Sequence, residues 1–159
     1  MSDINPTRVL FVCMGNICRS PAAEIIFRQK VADAHLSPAI EIDSAGTINY
    51  HSGSPPDPRM ADTLRKRGYT VSGKARQIRP ADLAHFDHIL TMDETNLDEV
   101  RHLDPSGTHH HKIIPMVRFL SSPGTPRIPD PYSGSQRGFE HVADLLEDAC
   151  GGLLRFLKP

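Results

Sequence analysis

Short apolar runs recur along this chain and predict buried strands. The first run, residues 8–13, is rich in Val, Leu and Phe. A continuous apolar run of this length is typical of a strand that is covered on both faces. The predicted strands comprise residues 8–13, 40–43, 88–92 and a stretch within 112–120 that Pro115 interrupts.

Between these runs, apolar residues recur at every third or fourth position, which predicts amphipathic helices. Pro21 suits the first turn of the first helix, where its missing N–H leaves no hydrogen bond unmade. The predicted helices are one that begins at Pro21, residues 59–67, about Asp93–Leu103 and a last one that carries Phe139 to Phe156. Because strands alternate with helices, the sequence predicts an α/β fold whose parallel strands pair through right-handed crossovers.

The composition indicates one globular domain. The chain has 159 residues with 18 basic and 19 acidic side chains, so its charge does not favour binding to nucleic acid. No apolar run is long enough to span a membrane, and the polar N-terminal residues do not resemble a signal peptide. Three cysteines are too few for a disulfide framework, which favours a reducing compartment and a cytoplasmic protein.

Residues 8–20 contain a predicted strand, a turn and the start of a helix within one short segment. The strand delivers Cys13 into a loop with a glycine and an asparagine, and Arg19 follows where the helix begins. Backbone N–H groups of such a loop, together with the helix dipole, form a site for an anion. Arg19 can bind two phosphate oxygens at once, and the Ser20 hydroxyl can hydrogen-bond to the cysteine sulfur. The segment therefore predicts a cysteine that attacks a phosphoryl group.

Two residues of this loop are expected to serve its backbone. Gly15 has no side chain, so the chain can turn there and approach a ligand closely. Asn16 tolerates the left-handed conformation that such a turn often needs. The carboxyl ends of parallel strands carry the active site in such folds, and Cys13, Ser44 and Asp93 all lie at predicted strand ends.

A thiolate that displaces a phosphoryl group also needs an acid to protonate the leaving oxygen. Asp130 is our candidate for this acid. Pro129 and Pro131 restrict the backbone on both sides and would hold the carboxyl group in place. Tyr132 adds an aromatic face beside it.

Motifs along almost the whole chain resemble those of the low-molecular-weight protein tyrosine phosphatases. They are Cys-Met-Gly-Asn-Ile-Cys-Arg-Ser at 13–20, Asp43–Thr47, Asp57–Arg59, Ala75–Ile78, Met92–Asp93 and Asp-Pro-Tyr at 130–132. The resemblance implies a four-stranded parallel sheet flanked by helices on both faces. We expect a single domain over residues 1–159, with residues 1–6 as a flexible N-terminus.

The resemblance also implies the reaction and the residues that perform it. Cys13 would form a phosphocysteine intermediate in the hydrolysis of phosphotyrosine, without a metal or an organic cofactor. Asp130 would protonate the phenol and then activate water. The phosphoryl oxygens would be held by Arg19 and by the backbone N–H groups of Met14, Gly15, Asn16, Ile17, Cys18 and Arg19.

Supporting roles follow from the same resemblance. Asn16 and Ser44 would lock the loop, and Ser20 would support the nucleophile. Tyr50, His51 and Tyr132 would form the rim of a deep slot that favours phosphotyrosine over the shorter phosphoserine. The partners would be phosphotyrosine-containing proteins, and we expect a monomer or a weak homodimer.

The chain departs from the family pattern in two places. Family members often carry a histidine before the Ala-Arg-Gln segment, where this chain has Ser72, Gly73 and Lys74. We therefore expect the loop network to be closed by Ser72 or by water. Ser133 stands where many animal members have a second tyrosine, so regulation through that tyrosine is not expected here.

The remaining cysteines and the histidines need no catalytic role. For Cys18 two interpretations stay open. Cys18 either packs in the core or forms a disulfide with Cys13 that protects it from over-oxidation. Cys150 lies on the apolar side of the last predicted helix and is expected in the core. The three consecutive histidines at 109–111 cannot easily face one ion, so we interpret them as a solvated loop rather than a metal site.

Three alternative functions are compatible with part of this pattern. A thiol-dependent arsenate reductase would need two further cysteines after the middle of the chain, and residues 70–100 contain none. Protein-arginine phosphatases carry Thr where this chain has Ile17, whose bulk should crowd a guanidinium-linked phosphate. A non-catalytic phosphopeptide-binding module would not need Cys13 together with Asp130.

Overall fold

The fold is built on a small parallel sheet. The computed structural model, which describes residues 5–158, has the strands β1 (Thr7–Cys13), β2 (Ile40–Gly46), β3 (His88–Thr91) and β4 (Ile113–Pro115). They lie in the order β2-β1-β3-β4, and every neighbouring pair is parallel. Since β1 pairs on both sides, its carboxyl end lies near the middle of the sheet edge. Cys13 is the last residue of β1 and lies beside Gly46 of β2.

Five helices follow or precede these strands in the described part of the chain. They are α1 (Arg19–Asp33), α2 (Pro58–Lys66), α3 (Pro80–His85), α4 (Glu94–His102) and α5 (Gln136–Leu157). Short 3-10 turns cover Ser37–Ala39, His110–Lys112 and Met116–Phe119. The sequence pattern did not predict α3, because six residues are too few to show a helical period.

Alternation along β1 divides the core into two layers. Val9 and Phe11 face one side of the sheet and join the core that includes buried residues of α1 and α5. Leu10 and Val12 face the other side and pack in a second core with residues of α3 and α4. Period-two alternation sends neighbouring side chains to opposite faces, so a run of four apolar residues requires helices on both sides. The predicted four-stranded α/β fold is confirmed.

Several element boundaries differ from the prediction. β2 extends three residues beyond 40–43, because Ser44, Ala45 and Gly46 continue the pairing with β1. β4 ends at Pro115, which has no N–H to continue the ladder. The first helix begins at Arg19 rather than Pro21, so Pro21 lies in its first turn as expected.

Two predictions concern features outside the sheet. Most of the N-terminal segment 1–6 lies outside the described residues, so its expected flexibility stays a prediction. Within residues 5–158, no helix is long and apolar enough to cross a membrane. In the same part of the chain, no group of three His, Cys, Asp or Glu side chains is placed to hold a metal ion, and His110 and His111 lie exposed at the surface.

Candidate active site

The candidate site lies in the loop that joins β1 to α1. Cys13 is almost fully buried at its start, and Arg19 is almost fully buried at its end. The segment after β2 holds the loop from one side. Thr47 N–H donates to the Cys13 carbonyl at 2.9 Å, and Ile48 N–H donates to the Met14 carbonyl at 3.1 Å.

The loop presents unpaired backbone donors. Among the hydrogen bonds of residues 5–158, none is donated by the amides of residues 14–18. Asn16 adopts the left-handed conformation expected of it, with φ of 57°. Such a turn, followed directly by the N-terminus of α1, collects N–H groups into a concave site for an anion. The arrangement can hold the oxygens of a phosphoryl group.

Glycines at two positions allow this close packing. A β-carbon on Gly15 would lie 3.0 Å from Cδ2 of His51. Its missing side chain therefore admits the imidazole to the loop. A β-carbon on Gly46 would lie 2.6 Å from the Met14 carbonyl oxygen, so only glycine lets the end of β2 approach the loop.

Hydrogen bonds lead from the loop to the Cys13 sulfur. Sγ of Cys13 lies 3.0 Å from Oγ of Ser20, and the Ser20 N–H donates to the same sulfur at 3.4 Å. Oγ of Ser20 accepts from Nδ2 of Asn16 at 2.8 Å. The Ser20 hydroxyl also lies 3.3 Å from the Ala45 carbonyl oxygen, so its one hydrogen is shared between that oxygen and the Cys13 sulfur. These contacts place the Ser20 hydroxyl and the Ser20 N–H directly beside the Cys13 sulfur.

The network continues away from the nucleophile and closes without a histidine. Nδ2 of Asn16 also donates to Oγ of Ser44 at 3.0 Å, and Ser44 donates to the Glu24 carboxylate at 2.6 Å. Oδ1 of Asn16 accepts from the backbone N–H of Arg76 at 3.0 Å. We expected Ser72 or water to close this network: instead of Ser72, the structure gives Ser44 the partner Glu24, a residue that the sequence did not reveal, and a role for water stays a prediction.

The guanidinium of Arg19 is held on one of its edges. Its Nη1 donates to the Asp93 carboxylate at 2.6 Å and to the Ile128 carbonyl at 3.1 Å. Among the described residues, Nε donates to no group, and Nη2 has only a longer contact to Asp130 at 3.6 Å. The Nε–Nη2 edge therefore remains for two phosphoryl oxygens. The sequence placed Asp93 at a strand end but did not reveal that it orients Arg19.

Asp130 lies opposite the loop. One of its carboxylate oxygens accepts from the Tyr132 N–H at 3.0 Å, which fixes the turn between Pro129 and Tyr132. The other oxygen makes the contact to Arg19. The carboxyl group is partly exposed and lines the same cavity as Cys13. The structure thus brings together a cysteine thiol, a loop with unpaired amides and a carboxyl group at one cavity.

The cavity above the loop has a volume of about 470 Å³. Its rim includes the three residues proposed for it from the sequence. The rings of Tyr50 and His51 meet edge to face at 4.8 Å between centroids, and the His51 and Tyr132 rings lie 6.1 Å apart. The cavity is lined by Cys13, Met14, Gly15, Ile17, Cys18, Arg19, Ile48, Tyr50, His51, Asp130 and Tyr132.

The other two cysteines are poor nucleophiles. Burial, with a smaller contribution from the Asp57 carboxylate, raises the pKa of the Cys18 thiol well above its ordinary value. Burial also raises the pKa of Cys150, which lies on α5 within the core as predicted. Both thiols therefore stay protonated at neutral pH, and neither is oxidised in this structure. A disulfide between Cys13 and Cys18 stays a prediction.

Comparison with known proteins agrees with this geometry. The family model for low molecular weight phosphotyrosine protein phosphatases matches residues 8–159. A Synechocystis protein, provisionally named a low molecular weight protein-tyrosine-phosphatase, is 53% identical over 150 residues, which cover 94% of this chain and 96% of that protein.

Solved structures share the fold as well as the sequence. A protein tyrosine phosphatase from Entamoeba histolytica superposes with a TM-score of 0.91 at 42% identity, covering 95% of this chain and 96% of the other. An arginine phosphatase from Drosophila gives a TM-score of 0.88 at 32% identity, covering 95% and 98%. The chain belongs to the low molecular weight phosphotyrosine protein phosphatase family.

Proposed function

We propose that this protein hydrolyses phosphotyrosine in proteins through a phosphocysteine intermediate. The observation that carries the proposal is the position of Cys13. Its sulfur accepts hydrogen bonds from Ser20 at the start of a loop with unpaired amides, and Arg19 and Asp130 face the same cavity. Membership of the family supports the same reaction class.

In the first step, the Cys13 thiolate attacks phosphorus and the bond from phosphorus to the phenolic oxygen breaks. The amides of residues 14–18 and the Nε–Nη2 edge of Arg19 hold the three phosphoryl oxygens as charge spreads over them. Asp130 gives its proton to the departing phenolate, so tyrosine leaves as the neutral phenol. The sulfur–phosphorus bond of the intermediate replaces the bond that was broken.

In the second step, water attacks the phosphocysteine. The Asp130 carboxylate, deprotonated by the first step, accepts a proton from this water as the oxygen bonds to phosphorus. The sulfur–phosphorus bond breaks, and the thiolate is restored with its hydrogen bonds from Ser20. Inorganic phosphate leaves, and the residues involved return to their starting state without a metal or organic cofactor.

Ile17 supports tyrosine rather than arginine as the residue that carries the phosphate. Its side chain lines the cavity, and its position is fixed because its carbonyl accepts from the Asp57 N–H at 2.8 Å. A planar phenol ring can pack against this aliphatic surface, whereas a charged guanidinium would lose hydration against it. The aromatic rim offers further contacts to a phenol ring.

Steady-state kinetics with phosphotyrosine and phosphoarginine peptides of the same sequence test this assignment. We expect kcat/KM to favour phosphotyrosine by at least about tenfold, since pocket contacts of this kind change rates by that order. The variant I17T should lower the ratio of kcat/KM for the phosphotyrosine peptide to that for the phosphoarginine peptide. The variant I17V, which keeps a branched aliphatic side chain, should retain this ratio. Equal or faster hydrolysis of phosphoarginine by the unaltered protein would contradict the assignment.

We also infer that the protein acts in the cytoplasm as a monomer or a weak homodimer. Three free thiols, two of them in the catalytic loop, are compatible with a reducing compartment. Its partners would be phosphotyrosine-containing proteins that present the phosphorylated residue on an accessible segment.

A further inference from the structure

The exposed apolar side chains of this protein are concentrated at the mouth of one cavity. Among the described residues, four large apolar or aromatic side chains are exposed: Met14 at 47%, Tyr50 at 82%, Tyr132 at 49% and Phe156 at 56%. The first three all line the cavity above the catalytic loop. Exposed apolar surface that is gathered in this way usually marks a binding surface.

This apolar rim is held in place by the residues around it. The hydrogen bond from Ile48 N–H to the Met14 carbonyl ties the segment that carries Tyr50 to the catalytic loop. His51 lies between the two tyrosine rings and against Gly15. Side chains on such an anchored rim lose little freedom when they bind a partner, so contacts to them contribute efficiently to affinity.

Charges at the mouth are committed to other contacts. Arg19 and Asp130 serve the phosphoryl group and the leaving oxygen. Arg59 lies above the Tyr132 ring at 5.4 Å, but its Nε and Nη2 donate to the Asp57 carboxylate at 3.2 and 3.0 Å. Among the described residues at the mouth, Arg19 and Arg59 are already paired with carboxylates, so the rim offers mainly apolar contact to the neighbours of a phosphorylated residue.

We propose that the rim formed by Met14, Tyr50 and Tyr132 selects phosphotyrosine that is flanked by apolar residues. This rests on the proposed function, since the phosphotyrosine ring must first enter the cavity. A phosphotyrosine ring that fills the cavity leaves part of the rim uncovered, because most of the Tyr50 surface is exposed. An aliphatic or aromatic side chain beside the phosphotyrosine would cover this surface and leave water with less apolar area to hydrate.

Kinetics on a set of short peptides test the selection. The residues on both sides of phosphotyrosine are changed together to Leu, Ala, Asp or Lys, and phosphate release is measured at low substrate concentration. We expect kcat/KM for the Leu-flanked peptide to exceed that for the Ala-flanked peptide by about fivefold, as partial burial of two side chains would give. The Asp- and Lys-flanked peptides should not exceed the Ala-flanked one.

Variants assign the preference to the rim. Y50A should bring the Leu-to-Ala ratio close to one, while Y50F, which keeps the ring, should preserve it. F156A removes the exposed aromatic side chain remote from the cavity, on α5, and should leave the ratio unchanged. Because Tyr50 is exposed, its replacement removes little packing and the variant should fold normally.

The outcomes separate this proposal from the function on which it rests. A flat ratio with ready hydrolysis of the Ala-flanked peptide would overturn the selection and leave the phosphatase function standing. Failure to hydrolyse every peptide would overturn the function itself. Faster hydrolysis of the Asp-flanked peptide would show recognition by charge. A Leu-to-Ala ratio that collapses as the enzyme dimerises would show that a second copy of this chain covers the rim.

Discussion

At the scale of single residues, the direction of each hydrogen bond explains how the nucleophile is prepared. The Glu24 carboxylate can only accept, so the Ser44 hydroxyl must donate to it. Ser44 then accepts from Nδ2 of Asn16, which fixes the orientation of that amide. The same amide donates to the Ser20 hydroxyl, whose one hydrogen is shared between the Ala45 carbonyl oxygen and the Cys13 sulfur. Glu24, and the Arg76 N–H that donates to Oδ1 of Asn16, thus set together the polarity of a chain of groups that leads to the Ser20 hydroxyl.

Removal of this carboxylate should weaken the nucleophile without removing any group that touches substrate. We expect E24A to lower kcat and the rate of alkylation of Cys13 by iodoacetamide by about fivefold each, the effect of one net hydrogen bond of about 1 kcal/mol. E24Q keeps an acceptor oxygen and should recover part of both rates. Q29A, a change of an exposed residue on the same helix, serves as the control. Unchanged alkylation in E24A would contradict the proposed polarity.

The sequence predicts some residues of this site and not others for a physical reason. Cys13, Arg19 and Asn16 lie within one strand–loop–helix segment, so local pattern is enough to place them at a common anion site. Glu24 belongs to the site only because α1 packs on β2 in one particular rotation. Asp93 contacts Arg19 through the pairing of β3 with β1. Such contacts depend on tertiary packing, which a single sequence does not display.

At the scale of secondary-structure elements, the position of α5 is set by one close backbone approach. A β-carbon on Gly152 would lie 2.1 Å from the Phe119 carbonyl oxygen, in the 3-10 turn Met116–Phe119. A β-carbon on Gly151 would meet only Nη1 of Arg155, at an ordinary 3.6 Å. Two adjacent glycines in one helix therefore have opposite roles, and the sequence alone gives no sign of the difference.

Alanine at these two glycines should change stability in opposite directions. G152A should lower the free energy of unfolding by about 2–3 kcal/mol, because the helix or the turn must move to relieve the overlap. G151A should raise it by about 0.5–1 kcal/mol, the difference in helix propensity between glycine and alanine. Urea denaturation of both variants measures these values. Equal effects of the same sign would show that α5 does not press on the turn.

Boundaries of elements were the weaker part of the sequence prediction. The periodic helices α1 and α5 were found because their apolar faces are long. The six-residue α3 was missed, and β2 was cut short because Ser44 and Gly46 resemble turn residues. The end of β2 is decided by its pairing with β1, which the local sequence does not specify.

At the scale of the whole molecule, the sheet separates two cores, and one half-buried histidine links stability to pH. His88 begins β3 and meets the ring of Phe156 edge to face at 5.8 Å. Burial lowers the pKa of His88 below its ordinary value, although the nearby Asp87 opposes this. Below about pH 6.5 the unfolded chain takes up a proton at His88 that the folded protein resists. Stability should therefore fall as the pH decreases below that value.

The variant H88Q should reduce the change in the free energy of unfolding between neutral and mildly acidic pH. We expect the difference in unfolding free energy between about pH 7.5 and pH 5.5 to be smaller in H88Q than in the unaltered protein. The comparison concerns the difference between two pH values, so any constant loss of packing against Phe156 cancels. H111Q, which changes an exposed histidine, should retain the original difference. Identical pH dependence in all three proteins would exclude His88 as the linked group.

The covalent mechanism depends on Cys13 as the attacking group. Hydrolysis of p-nitrophenyl phosphate by the variant C13S tests this role most directly. Cys150 provides a matched control, because C150S changes a buried cysteine within the core, on α5. Near-complete loss of turnover in C13S, on the order of 10⁴-fold or more, is the expected result, with activity largely retained in C150S. Comparable turnover by C13S and the unaltered protein would contradict the covalent mechanism.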